Sequence, residues 1–298
     1  MDKTKQLQYL NRLMFEPYEG GGETKFFFFQ FLQGSGNELL KKFWSKNSSS
    51  RMAFELYSPL VKDSEVKDFE FEYQLPALAS GGTGPNMDVY IETEDEIIFV
   101  ESKYTETADL RYITESYLSP GYYADIHGGK TLDERFRKYP YAQDFAKFCR
   151  KWQEIMDANE SWKESSDWFE PKQETCHLSG ILFYIFDPKR RALIEKKKKI
   201  RLCNVFWAMD GDRMSDMEQA FVKMANDLVR NIVNDNSAKY PFLNGLDFQM
   251  KAFSVQHLLE NPKLLSEHIQ TIELDDNVLL EFEDNVYNKT RKNFRSSH

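Results

Sequence analysis

The sequence predicts a mixed α/β fold. Three observations carry this: a stretch of alternating acids and aromatics followed by two strand-like segments, apolar residues at helical spacing on both sides of them, and no internal repeat at solenoid or propeller periods. With 298 residues, 41% hydrophobic content and 15% aromatics, the chain can fill a substantial core. Its 29% charged residues, 14 glycines and 10 prolines exclude collagen-like, low-complexity and wholly disordered classes. A formal net charge of −9 excludes a uniform basic coat, so any polyanionic partner must be held by a local positive groove or through a metal ion.

The opening segment reads as a helix or arm ending at Glu19-Gly20-Gly21-Gly22, where three glycines stop regular structure. This sets expected boundaries of an N-terminal arm at 1–22, a single α/β domain at 23–287 and a charged tail at 288–298. The apolar run Phe26 to Leu32 suits a buried strand or a core helix segment. After the Gly34-Ser35-Gly36-Asn37 turn, Leu39, Leu40, Phe43 and Trp44 recur at helical spacing, which predicts a helix over about 36–46. Ser48-Ser49-Ser50 interrupts it, and Met52 to Tyr57 resumes the apolar pattern until Pro59.

From Val66 to Leu75, acid–aromatic alternation predicts a strand with one wet face. The loop Gly81 to Gly84 lacks both the GxxxxGK[ST] and GxGxxG patterns, so it reads as an ordinary loop rather than a phosphate cradle. Met87 to Glu92 and Glu96 to Lys103 then form a hairpin across Thr93-Glu94-Asp95. A helical pattern runs from Thr131 to Asp157. Residues 162–173 read as a polar loop leading to a strand at Leu178 to Phe186, and a lysine-rich bend leads to another at Ile200 to Met209. Asp212 to Val233 is an amphipathic helix, Leu246 to Phe253 a strand, and Ser254 the cap of a short helix over Gln256 to Glu260.

No apolar stretch approaches the roughly 20 residues of a membrane-spanning helix, and the N-terminus lacks the continuous hydrophobic region of a secretory signal, so a cytoplasmic protein without membrane partners is expected. Three widely spaced cysteines with no CxxC pair, and five histidines with no HxxxH pair, argue against a disulfide framework or a structural zinc site.

Chemistry concentrates at Asp88 and, twelve intervening residues later, Glu101-Ser102-Lys103. Side chains alternate across a strand, so Glu101 and Lys103 share one face with Ile97 and Phe99, while Ile98 and Val100 fill the other. A strand apolar on both faces that ends with an acid and a base on one face has a functional cause to find, because burying charge is costly without pairing. The hairpin sets Asp88 beside the end of the next strand, where two carboxylates form an oxygen-rich site suited to Mg²⁺. The competing view is a surface ion-pair cluster on an exposed hairpin.

These residues resemble the P-D…(D/E)-x-K signature of the restriction-endonuclease-like, or PD-(D/E)XK, nuclease superfamily, with Asn86-Met87 between Pro85 and Asp88. More narrowly, the order of elements over about residues 30–260 resembles a group of uncharacterised bacterial restriction-endonuclease-like proteins. The resemblance implies an αβββαβ core, a mixed sheet flanked by helices. It also implies a Mg²⁺-dependent DNA endonuclease, with Mn²⁺ as the alternative ion, in which Asp88 and Glu101 bind metal and Lys103 assists the attacking water. Glu38 stands where the family's additional glutamate is expected, with Glu55 as second choice; an acid in a helix's first turn is also favoured by the helix dipole alone. Gln143 is the candidate for the glutamine that the family often carries on a following helix, although a structural or surface role is the simpler reading of it.

Lys196, Lys197, Lys198 and Lys199, with Lys189, Arg190, Arg191 and Arg201, form the one dense basic cluster. It is either a solvated turn or the patch that contacts a nucleic-acid backbone. A homodimer would suit cleavage of both strands of the DNA substrate. The alternative function is a catalytically inactive nucleic-acid or protein-binding module with the same fold.

Overall fold

The computed structural model describes residues 2–15, 18–20, 23–33, 38–76, 84–104, 139–159, 169–208 and 215–296. The expected glycine joint at 21–22, most of the glycine loop, the tyrosine-rich stretch at 105–130, the start of the helix expected from Thr131, and Trp162 and Trp168 lie outside these residues. A five-stranded sheet organises the rest. Its strands are β3 (Asp68–Gln74), β4 (Asn86–Glu92), β5 (Glu96–Lys103), β6 (Lys199–Phe206) and β7 (Asp247–Ser254), in that spatial order. Chain order and spatial order therefore coincide. The pairs β3/β4 and β4/β5 are antiparallel, whereas β5/β6 and β6/β7 are parallel, so β5 joins the two halves of a mixed sheet. A separate small ribbon pairs β1 (Tyr18–Gly20) with β2 (Glu23–Lys25).

Helices cover both faces. On one side lie α1 (Lys3–Phe15), α2 (Phe27–Gln33), α3 (Glu38–Lys41), α4 (Ser49–Tyr57), α9 (Val255–Glu260) and α10 (Asp276–Ser296). On the other lie α5 (Ala142–Ala158), α6 (Pro171–Phe186), α7 (Arg191–Lys197) and α8 (Asp216–Asn236). Each face has its own core: Phe27, Phe31, Phe54, Phe69, Phe71, Ile98 and Val100 pack on the first, and Ile97, Phe99, Phe145, Trp152, Ile181 and Phe221 on the second. Every residue of β5 is buried, as expected of a strand between two helical layers. The order α4, β3, β4, β5, α6, β6 reproduces the expected αβββαβ core, which α8 and β7 extend.

The run Phe26 to Leu32 is helix α2, not a strand. Phe27 and Phe31, one turn apart, are fully buried, with the Phe31 ring stacked 4.8 Å from Phe71. Gln30, on the same helix, accepts from the backbone N–H of Phe71 at 2.9 Å and so occupies part of the outer edge of β3.

The largest departure is α6. The strand expected over Leu178 to Phe186 is the second half of a helix that starts at Pro171 in what read as a loop. An apolar run of this length does not separate a buried strand from a buried helix, and here the helix is buried almost all round. Pro171 occupies a first-turn position where its missing N–H costs nothing. Gly180 lets the helix approach the sheet: an added Cβ would stand 3.0 Å from Leu75 and 3.1 Å from Pro85. At the C-terminus, α10 continues to Ser296 through the segment expected to be a frayed charged tail. Among the described residues, no helix is long and apolar enough to cross a membrane.

Candidate active site

The carboxyl end of β5 opens into a cavity of about 420 Å³ whose lining includes Glu38, Lys42, Glu72, Asp88, Glu101, Lys103, Gln173 and His177. The hairpin register explains part of this convergence. Val89 pairs with Val100, so one further step brings Asp88 beside Glu101, and Asp88 Oδ2 accepts the backbone N–H of Ser102 at 2.6 Å. Alternation then turns Glu101 and Lys103 to the face covered by α6. There Lys103 Nζ donates to Glu101 Oε1 at 2.9 Å and to Gln173 Oε1 at 2.7 Å, while Gln173 Nε2 donates to the same Glu101 oxygen at 2.7 Å. His177, one turn along α6 from Gln173, places Nε2 3.7 Å from Glu101 Oε2.

Glu38 reaches the cavity from α3, where Lys42 Nζ lies 2.7 Å from its Oε1 and the Ser50 hydroxyl donates to its Oε2 at 3.2 Å. Ser48 caps α4 by accepting from the Arg51 N–H at 3.1 Å, which brings Ser49 and Ser50 to the cavity wall. Glu55, the second choice, faces elsewhere: its carboxylate meets Arg12 of α1 at 2.8 Å. A further acid, Glu72, interrupts β3. Its φ of 52° is left-handed, and the ladder of pairs passes from Phe71↔Val89 to Tyr73↔Met87 without a Glu72↔Asp88 pair. A non-glycine residue held there costs on the order of 1 kcal/mol or more, a strain that clusters at functional sites.

The charge balance makes these carboxylates unequal. Burial pushes the Asp88 carboxyl well above its ordinary range, and Glu101 and Glu72 beside it add to the rise. Burial, then Glu38 and Glu101, pushes Glu72 up to about 8. Glu101 goes the other way. Burial alone would raise it, but the Lys103 ammonium, His177 and the bonds from Lys103 and Gln173 hold it below the usual carboxylate value. Burial likewise opposes protonation of His177, and Glu101 and Glu174 overcome that and raise its pKa. The cavity thus gathers four carboxylates, of which Glu101 is the one whose charged form its neighbours favour. All are hard oxygen donors, a set suited to Mg²⁺, which keeps several waters and needs only one or two carboxylates.

Two groups of expected residues lie elsewhere. Gln143 is exposed on α5 and does not line the cavity; the glutamine that does is Gln173. The lysine cluster sits at the start of β6, beside Glu96, at the opposite end of β5. Lys197 is buried with its Nζ 2.8 Å from Glu92 and bonded to the carbonyl of Thr93, so it is not available to a nucleic-acid backbone. Lys198 donates to the carbonyl of Phe242 at 3.1 Å, Lys199 meets Asp95 at 2.7 Å, and Lys196 lies 3.7 Å from Glu94. Each lysine is thus engaged by an oxygen of the surrounding fold.

Near this same end, Asp95, Glu96 and His268 form the one group of three metal-capable side chains, among the described residues, whose ligand atoms lie within 4.8 Å of one another. Lys199 and Arg201 pair with its acids and the Ser266 hydroxyl donates to Glu96, so it is a neutralised ion-pair network.

Sequence reasoning missed Gln173, His177, Glu72 and Lys42. The i, i+4 spacing of Gln173 and His177 puts them on one helical face, a signal that becomes readable only once Pro171 is taken as a helix start.

A mixed sheet flanked by helices, with acids and a lysine gathered at the end of its central strand, is an α/β architecture consistent with a restriction-endonuclease-like fold. Residues 27–171 match the model of a family described as "Restriction Endonuclease associating with ARP", which supports a restriction-endonuclease-like family for this chain. The matched segment carries Glu38, Glu72, Asp88, Glu101 and Lys103 and ends at the first residue of α6. No curated protein and no solved structure matches the chain.

Proposed function

We propose that this protein is a Mg²⁺-dependent phosphodiester hydrolase acting on DNA, with Mn²⁺ as an alternative ion. The observation that carries this reading is the meeting of Asp88, Glu101 and Lys103 in one cavity with a third acid, Glu38, at its wall. Asp88 and Glu101 would hold the ion through carboxylate oxygens, and Glu38 would supplement them. When bound, the ion supplies Lewis-acid polarisation of the phosphoryl group and a more acidic water.

The remaining work falls to the chain's own side chains. Lys103 is 8% exposed, which keeps its ammonium at a defined position next to Glu101. From there it orients the attacking water and offsets negative charge that builds on the phosphorane. Gln173 holds Lys103 and Glu101 in register through one amide. The cavity has a volume of about 420 Å³ at the carboxyl end of β5, and the family match adds the nuclease context.

The test is plasmid cleavage. Purified protein with Mg²⁺ should nick or linearise plasmid DNA, EDTA should abolish this, and Asp88→Ala and Lys103→Ala should each lower the rate by about 10²–10⁴. DNA retardation that is independent of metal, with no cleavage in Mg²⁺ or Mn²⁺, would instead establish a binding module on the same fold.

A further inference from the structure

Behind Glu101 lies a second acid that no step above uses. Glu174 is 1% exposed, on the face of α6 turned into the protein, and His177 one turn along is equally buried. The two imidazole nitrogens face two carboxylates: Nδ1 lies 3.7 Å from Glu174 Oε2, and Nε2 lies 3.7 Å from Glu101 Oε2. Neither Glu174 Oε2 nor His177 Nδ1 makes a hydrogen bond to another group among the described residues.

A carboxylate buried on the inward face of α6 is costly, and a well-packed apolar residue in its place is often neutral or stabilising. Glu174 lies in the first turn of α6, where the helix dipole favours an acid, but the dipole does not set the direction of its side chain. The pair forms a buried line from the interior of α6 to Glu101 Oε2, whereas the hydrogen bonds from Lys103 and Gln173 go to Oε1. Lys103 and Gln173 fix Oε1, and His177 is the group that faces Oε2. A ligating carboxylate hydrogen-bonded through one oxygen and approached by an imidazole at 3.7 Å on the other is restricted in orientation, and outer partners of a metal ligand are typically worth about 10–100-fold in affinity.

We propose that Glu174 and His177 are positioning residues for the cation site: Glu174 orients the imidazole, and His177 holds the Glu101 carboxylate in the orientation that binds a divalent ion. This rests on the metal-dependent reading of the cavity, but its test does not need turnover. Mn²⁺ binding to the full-length protein without DNA, followed by titration calorimetry, should weaken about 10–100-fold in His177→Ala and about tenfold in Glu174→Gln. His177→Gln, which retains an N–H donor, should recover part of the loss. Thermal melting in EDTA separates this from a purely structural role. Positioning predicts that Glu174→Gln melts at or above the wild-type temperature while binding Mn²⁺ more weakly.

Unchanged Mn²⁺ affinity in Glu174→Gln and His177→Ala would overturn the proposal, as would a lowered melting temperature with full affinity. Wild-type protein that fails to bind Mn²⁺ would overturn it together with the hydrolase reading. Tight Mn²⁺ binding that is sensitive to both substitutions, without DNA cleavage, would sink the hydrolase reading and leave the positioning role standing.

Discussion

Gln173 reaches Glu101 across 72 positions of sequence, donating from Nε2 to Oε1 at 2.7 Å while its own carbonyl oxygen accepts from Lys103. One amide therefore ties together a candidate metal ligand and the candidate water-orienting lysine. Gln173→Ala removes a hydrogen bond to each of two charged groups, each worth about 1.5–3 kcal/mol. Single-turnover cleavage should slow by roughly 10–100-fold, with the far-UV circular dichroism unchanged. Wild-type cleavage by this variant would remove Gln173 from the site.

Glu72 gives a stability profile of unusual sign. Its carboxyl titrates near its ordinary value when unfolded and at about 8 in the native protein. Between those limits the native state binds more protons, so stability of the metal-free protein falls as pH rises from about 4.5 towards 8, and the penalty is constant above. Asp88, raised by burial and by the same neighbours, acts in the same direction. Thermal melts in EDTA should therefore show wild type losing stability between pH 5 and 8.5 more steeply than Glu72→Gln, whose melting temperature at pH 8.5 should be higher by about 2–4 °C for each kcal/mol relieved. Glu72→Gly should gain stability at every pH, because glycine occupies the left-handed region without strain.

Lys197 and Lys196 are adjacent in sequence and opposite in consequence. Lys197 is buried against Glu92 and the Thr93 carbonyl, whereas the Lys196 side chain is 61% exposed. Urea denaturation should show Lys197→Met losing roughly 3 kcal/mol and Lys196→Ala losing under about 1 kcal/mol. Neither should weaken binding of DNA in a Ca²⁺-containing retardation assay. A large loss of DNA binding in Lys196→Ala would return the basic cluster to the nucleic-acid interface.

Gly180 sets how closely α6, which carries Gln173 and His177, lies against the sheet. Alanine would gain about 1 kcal/mol of helix propensity but crowd the Leu75 Cβ, an atom that cannot rotate away, at 3.0 Å. Overpacking at about 1–3 kcal/mol outweighs the gain. Gly180→Ala should lower the unfolding midpoint and also the cleavage rate, since Pro85, the other crowded neighbour, lines the cavity. An unchanged rate in a destabilised variant would show that α6 shifts without carrying Gln173 with it.

Local pattern alone determined the strands β3, β4 and β5, the capped helices α8 and α9, and the placement of Asp88, Glu101 and Lys103, because side-chain alternation and a short hairpin act over a few residues. The tertiary structure decided what the sequence pattern left ambiguous. An apolar run such as Leu178 to Phe186 is compatible with a buried strand or a buried helix, and in the fold it is a helix packed into the core on one face of the sheet. Gln173, His177 and Glu174 became part of the site through that choice, and Lys197 left the candidate interface because Glu92, more than a hundred positions away, neutralises it inside the fold. Charges and hydrogen bonds act through space, so the partners that give a titratable side chain its role need not be near it in the chain.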